Sequence, residues 1–346
     1  MTVQDDASPA EQATGNGRPE TDAPVTARAA PVQGVAACID SSRFSDKVIP
    51  HALAFGAALN SPVTLLRVLE AKRPPLAPLD PVEWDLRLRE ARDDVERIAD
   101  DRRMEHDQIL TEVIAGEPAE QISQWTRDND IQLTVLCTHG ESGVSLWGCG
   151  STAQKLLDRV HGSLLLVPHD FPTARIARYH RLVVPLDGSS HAESVLPLAT
   201  RLARAHGAEI VLVHVVPEPE LTEVGPVEKE AFDLRDQLIE RNKQVGERYL
   251  ERTRTGLGDD ITVRTLLVSG GDVRTRLVQA ATEQGTDLVL FAAHGRSRRP
   301  DVPFGSVAAH LITHAGVPLL IVRRYPTHLA QRESNGGPVR LPNQAQ

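Results

Sequence analysis

The chain carries a second copy of itself, and that limits its folds more than any other feature does. "VAACIDSSRFSDKVIPHAL" (35–53) aligns without a gap on "LVVPLDGSSHAESVLPLAT" (182–200), an offset of 147. Asp40 falls on Asp187, Ser42 on Ser189 and Pro50 on Pro197, and "VTLLRVLE" (63–70) falls on "IVLVHVVP" (210–217). Further on the offset becomes 155. Gly116-Glu117 then meets Gly271-Asp272, His139-Gly140 meets His294-Gly295, and Gly150-Ser151 meets Gly305-Ser306. "SLLLVP" (163–168) meets "PLLIVR" (318–323) at the same offset. The difference, 155 − 147, puts eight extra residues between the second and third strands of the second copy. Such self-similarity means tandem copies of one unit. The boundaries expected are 33–170 and 180–325, with a linker at 171–179.

Within each copy, aliphatic runs alternate with stretches whose apolar residues recur every three or four positions. In the first copy the predicted strands lie near 34–40, 62–69, 108–115, 131–137 and 163–168. Strand–helix alternation with aliphatic strands predicts an α/β fold, a parallel sheet with right-handed crossovers and helices on both faces. Aromatic residues make up only 3% of the 346 residues, so the cores must be built from Leu, Val, Ile and Ala. Pro50 and Pro197 are expected near a helix start, where proline costs least. The stretches 1–32 and 326–346 lack apolar periodicity and read as disordered tails.

Lys and Arg total 38 against 47 Asp and Glu, a net charge of −9. Without a basic stripe, that balance argues against nucleic acid and anionic membranes as partners. No apolar run reaches membrane-spanning length, and the polar N-terminus has no signal-peptide core. Cys38, Cys137 and Cys149 form no CxxC pair, which suits buried thiols in a reducing cytoplasm.

Gly148-Cys149-Gly150-Ser151-Thr152-Ala153 matches the dinucleotide pattern GxGxxA. A dinucleotide site needs those glycines in the first βα turn, whereas these fall in the fourth connection. The second copy has Pro303 where Gly148 stands, so the match is accidental. What the copies do share is His-Gly, nine residues, then Gly-Ser: Gly140 to Gly150-Ser151, and Gly295 to Gly305-Ser306. Glycine after a strand permits close backbone approach to a ligand. Gly-Ser opening a helix offers unbonded amides and the positive end of the helix dipole, which suits a phosphate chain. The same pair also suits a simple helix cap. Asp40 and Asp187 end the first strand of each copy. If strands one and four are neighbours, each Asp faces its glycine turn across the crevice, placed to accept from ribose hydroxyls. Capping the next helix is the alternative role.

At these residues the sequence resembles the universal stress protein family in its tandem form, over about 33–170 and 180–325. The family's nucleotide-binding branch carries G-x2-G-x9-G-[ST] after strand four and an Asp after strand one. The resemblance implies five-stranded, doubly wound parallel sheets of order 3-2-1-4-5 binding ATP, with magnesium, between strands one and four. By position, Asp40 and Asp187 would hold ribose, and Val68 and Val215 would meet adenine through their backbone. Gly140, Gly150 and Ser151, and Gly295, Gly305 and Ser306, would cradle phosphates, followed by Thr152 and Val307. The motif's first glycine is replaced by Cys137 and Ala292, which matters only if that position needs a positive φ. The last strands would meet across a two-fold as an intramolecular pseudo-dimer, with a homodimer of chains as a further level of assembly. Arg296, Arg298 and Arg299 in the second loop favour tighter ATP binding there. The reading is a cytoplasmic ATP-binding regulator of stress responses, acting through an unidentified protein partner, with slow hydrolysis at most. Two alternatives stand beside it: an enzyme that spends ATP, with Ser151 or Ser306 as phosphoacceptor, and a nucleotide-free interaction module. "SGGD" (269–272) and the solitary His139 and His294 carry no catalytic or metal-ligand pattern.

Overall fold

The computed structural model describes residues 34–70, 80–104, 106–139, 149–160, 162–172, 178–219, 229–295 and 304–323. The tail assignments, Gly140 and the loop arginines lie outside the described residues. The first copy runs β1 (Val35–Ile39), α1 (Ser45–Leu59), β2 (Val63–Leu69), α2 (Pro81–Arg102), β3 (Ile109–Ala115), α3 (Pro118–Asp128), β4 (Leu133–Cys137), α4 (Ser151–Arg159) and β5 (Ser163–Val167). The second runs β6 (Arg181–Pro185), α5 (Ser190–Glu193), α6 (Leu196–His206), β7 (Glu209–Val216), α7 (Lys229–Gly256), β8 (Val263–Ser269), α8 (Val273–Glu283), β9 (Leu288–Ala292), α9 (Ser306–His314) and β10 (Leu319–Val322).

All ten strands join one sheet in the order β3-β2-β1-β4-β5-β10-β9-β6-β7-β8. Each half therefore repeats the order 3-2-1-4-5, with parallel neighbours throughout. The halves meet where β5 and β10 pair antiparallel, Leu319 opposite Leu166 and Ile321 opposite Leu164.

Alternation along the aliphatic strands sends side chains to two buried layers. On β5, Leu165 and Val167 join the layer under α1 and α6, while Leu164 and Leu166 join the layer under α3, α4, α8 and α9. Both layers run through both halves without a break, so the strand joint is also a core joint.

Several helix starts follow from local sequence. Asp80 caps α2 by accepting the Val82 N–H at 2.9 Å, and Glu117 caps α3 through the Glu120 N–H at 2.8 Å, each just before a proline. The expectation for proline holds for Pro197, which lies in the first turn of α6. It is corrected for Pro50, which lies inside α1. The second copy breaks its helix here, α5 ending at Glu193 and α6 beginning at Leu196, whereas the first carries one helix across the proline. Pro50 thus lacks the N–H that would bond to the Asp46 carbonyl. Among the described residues no helix is long and apolar enough to cross a membrane.

Candidate functional site

Strand order reverses between β1 and β4 in the first half and between β6 and β9 in the second. Crevices form outside the carboxyl ends of strands at such points. In the first half a cavity of about 660 Å³ opens there, lined by Asp40, Val68, Gly150, Ser151 and Thr152 among others. That volume falls within the range of small-molecule sites. Arg67 from β2, and Arg87, Glu90 and Asp94 from α2, form its charged flank.

Asp40 follows β1 directly and closes a tight turn. Its Oδ1 accepts the Ser42 N–H at 3.0 Å and the Ser42 hydroxyl at 2.5 Å, and Ser45 Oγ accepts the Asp40 N–H at 2.9 Å. Asp187 does the same for Ser189, accepting its N–H at 2.9 Å. Neither aspartate caps a helix: Phe44 stands at the N-cap of α1, and Ser189 caps α5 through the Ala192 N–H at 3.1 Å. The second-half aspartate also reaches across the crevice. A Cβ built on Gly295 would collide with Asp187 Oδ2, so the absence of a side chain there lets the carboxylate approach this closely.

Gly150 and Gly305 occupy the N-cap positions of α4 and α9, extended at φ −64° and −70°, and neither helix has a side-chain cap. The serines follow as first helical residues, so neither plays the capping role. Both glycine amides are consumed locally: Gly150 N–H donates to Thr138 O at 2.5 Å and Gly305 N–H to Ala293 O at 3.0 Å. These bonds tie the loop after β4 or β9 back to its strand. The donors that remain are the amides of Ser151, Thr152 and Ala153, and of Ser306, Val307 and Ala308. Cys137 and Ala292 end their strands, and neither is among the residues at positive φ. A side chain there carries no backbone strain.

Two features escape a reading of the sequence. Arg67 pairs with Asp94 at 2.8 Å and holds α2 against β2. At the aligned positions the second half has His214, whose Nδ1–H donates to Leu186 O at 2.7 Å, and Tyr249, with ring centroids 5.9 Å apart. The offsets of 147 and 155 would have revealed that exchange. In addition, His139 is buried on the cavity wall, its Nδ1 3.0 Å from Thr138 Oγ1 and its ring 4.2 Å from that of His169. Its Nε2 has no hydrogen-bond partner. Burial, then His169, lowers its pKa, so the imidazole is neutral at pH 7. Burial pushes the Cys38 thiol up to about 12 and the Cys149 thiol up to about 11, which leaves both unreactive. Val215 lies near the end of β7, in the place Val68 holds on β2.

The model of the Universal stress protein family matches residues 32–168 and again 178–323. Universal stress protein Rv2005c of Mycobacterium tuberculosis is 23% identical over 303 residues, which span 84% of this chain and 97% of that protein. Universal stress protein MJ0577 of Methanocaldococcus jannaschii is 23% identical over 156 residues, 42% of this chain and 96% of that protein. Among solved structures, protein PA1789 of Pseudomonas aeruginosa superposes with a TM-score of 0.60 at 12% identity, covering 88% of this chain and 98% of that one. A universal stress protein of Archaeoglobus fulgidus gives 0.55 at 18% identity, covering 85% and 99%. Both share this fold.

Proposed function

The chain belongs to the universal stress protein family, and on that premise we propose that it binds ATP with magnesium in both clefts and acts as a nucleotide-dependent regulator of stress responses. The observation that carries the reading is the uncapped start of α4 beside a cavity that also exposes the β1 carboxylate. An anion there meets three helix amides and the positive end of the dipole. Charge-assisted bonds are worth about 1.5–3 kcal/mol each, so three supply roughly the 8 kcal/mol of micromolar binding. Asp40 and Asp187 accept from the ribose, while Val68 and Val215 present backbone to the base. The phosphates lie against Ser151 and Thr152 in one cleft and Ser306 and Val307 in the other. Gly140 and Gly295 allow the close approach. Slow hydrolysis is expected, because the described residues of the cleft supply binding groups for the nucleotide rather than a base poised on water.

Calorimetric titration of the full chain with magnesium-ATP tests this. Micromolar binding is expected, weakened by Asp40→Ala and more by Asp187→Ala, because the second loop carries Arg296, Arg298 and Arg299. Absence of heat from the parent protein, or equal binding by the double variant, overturns it.

A further inference from the structure

One side chain joins the two clefts. Arg323, directly after β10, forks onto the first half: its Nη1 and Nη2 donate to the carbonyl oxygens of Val160 and Leu157 at the end of α4. The same guanidinium lies over the Phe304 ring, 5.4 Å from its centroid and within cation–π range. Phe304 immediately precedes Gly305 and Ser306, where α9 begins in the second cleft.

At its other end α4 starts from Gly150 and Ser151 on the wall of the first cavity. Its nine residues span about 13 Å. Because β5 and β10 run antiparallel, the far end of α4 lies on the edge where the second cleft opens. The helix whose first amides face one cleft therefore ends, through Arg323, against the residue that leads into the phosphate turn of the other. The copies do not mirror this link. At the offset of 155, Arg323 falls on Pro168 and Phe304 on Cys149. Proline has no side-chain donor, and Cys149 is a buried thiol with no ring to carry a cation.

Resting on the nucleotide reading above, we propose that Arg323 is a positioning residue that couples the clefts, so that ATP bound in the first tightens binding in the second. Phosphate on the amides of Ser151, Thr152 and Ala153 fixes the start of α4. The anion at that end and the guanidinium at the other both complement the helix dipole. With α4 fixed, the guanidinium holds Phe304, and the Gly305-Ser306 turn is set before the second nucleotide arrives. That nucleotide then meets a smaller ordering cost.

Magnesium-ATP titrated into the isotope-labelled full chain tests this, the Ser151 amide resonance reporting the first cleft and the Ser306 amide the second. Asp40→Ala is expected to weaken the first curve directly and also to weaken the second by about fivefold, the low end of ordinary coupling between sites. Coupling is reciprocal, so Asp187→Ala is expected to shift the Ser151 curve likewise. Arg323→Met keeps a long stem without the donors, and Phe304→Leu removes only the ring. In each, adding Asp40→Ala is expected to leave the Ser306 curve unmoved; Phe304→Leu decides alone should Arg323→Met fail to fold. A Ser306 curve that ignores Asp40→Ala in the parent, or follows it undiminished in either variant, would overturn the coupling while leaving ATP binding intact. Movement of neither amide overturns the nucleotide reading and the coupling with it.

Discussion

Gly295 illustrates how one missing methyl group can shape a site. Its backbone is not at positive φ, so alanine is conformationally acceptable; the obstacle is the Asp187 carboxylate, which occupies the space a Cβ needs. Gly295→Ala must turn the carboxylate aside at Oδ2, and so disturbs the Asp187 side chain whose Oδ1 holds the Ser189 amide. The expected outcome is about tenfold weaker nucleotide binding in the second cleft, or about 1.4 kcal/mol, with ATP calorimetry as the check. Pairing Asp187 with Gly295 was legible from the repeat and the strand order. The loss of the Gly150 and Gly305 amides to Thr138 and Ala293 was not. A motif records which residues are small, but not which of their amides the loop needs to close on itself.

At the scale of elements, α2 and α7 show how copies diverge while keeping a fold. Both bury one stripe against the sheet, Ala91, Val95 and Ala99 in one, Gly246 and Leu250 in the other. A Cβ on Gly246 would come within 2.7 Å of Leu267 Cδ1 and 3.1 Å of the His214 ring, so α7 lies against β7 and β8 and a methyl there must push those side chains aside. Gly246→Ala brings in the first copy's residue; overpacking costs about 1–3 kcal/mol and helix propensity returns about 1 kcal/mol, so a net destabilisation of up to about 2 kcal/mol is expected. Urea unfolding of the full chain would measure the balance. The strands were readable because buried parallel strands are aliphatic runs bounded by polar turns. The continuous α1 was not: Pro197 stands beside a helix break in the second copy while Pro50 lies within an unbroken helix in the first, and local sequence does not record the tertiary packing that decides between them. The Arg67–Asp94 pair was equally hidden, since it joins a strand and a helix only after both have docked.

At the scale of the molecule, the halves are locked by more than the β5–β10 ladder. Arg201 of α6 donates to Ala58 O and Leu59 O at the end of α1, and Arg323 donates to Leu157 O and Val160 O at the end of α4. Each cation sits where a helix leaves its carbonyls unbonded. Between α1 and α6 lies a buried group of His51, Tyr179 and His206, with His51 Nδ1 2.7 Å from Tyr179 Oη. Burial lowers the His51 pKa to about 3, from an ordinary 6.5, and lowers that of His206 as well. Below pH 6.5 the unfolded chain takes up a proton that folded His51 refuses until about pH 3. Stability is therefore fully present above pH 6.5 and is lost as pH falls toward 3, by up to about 1.4 kcal/mol per pH unit. Urea midpoints at pH 7.5 and 5.0 should show that loss, and His51→Leu should flatten it.

The antiparallel seam has one more effect. Strands of the two halves run in opposite directions, so their carboxyl ends, and with them the two mouths, open from opposite edges of a single slab. No one small ligand can bridge them, and each can fill or empty without steric regard for the other. Any signal between them has to pass lengthwise, through the three shared leucine and isoleucine rungs in the middle of the protein and the helix contacts that flank them.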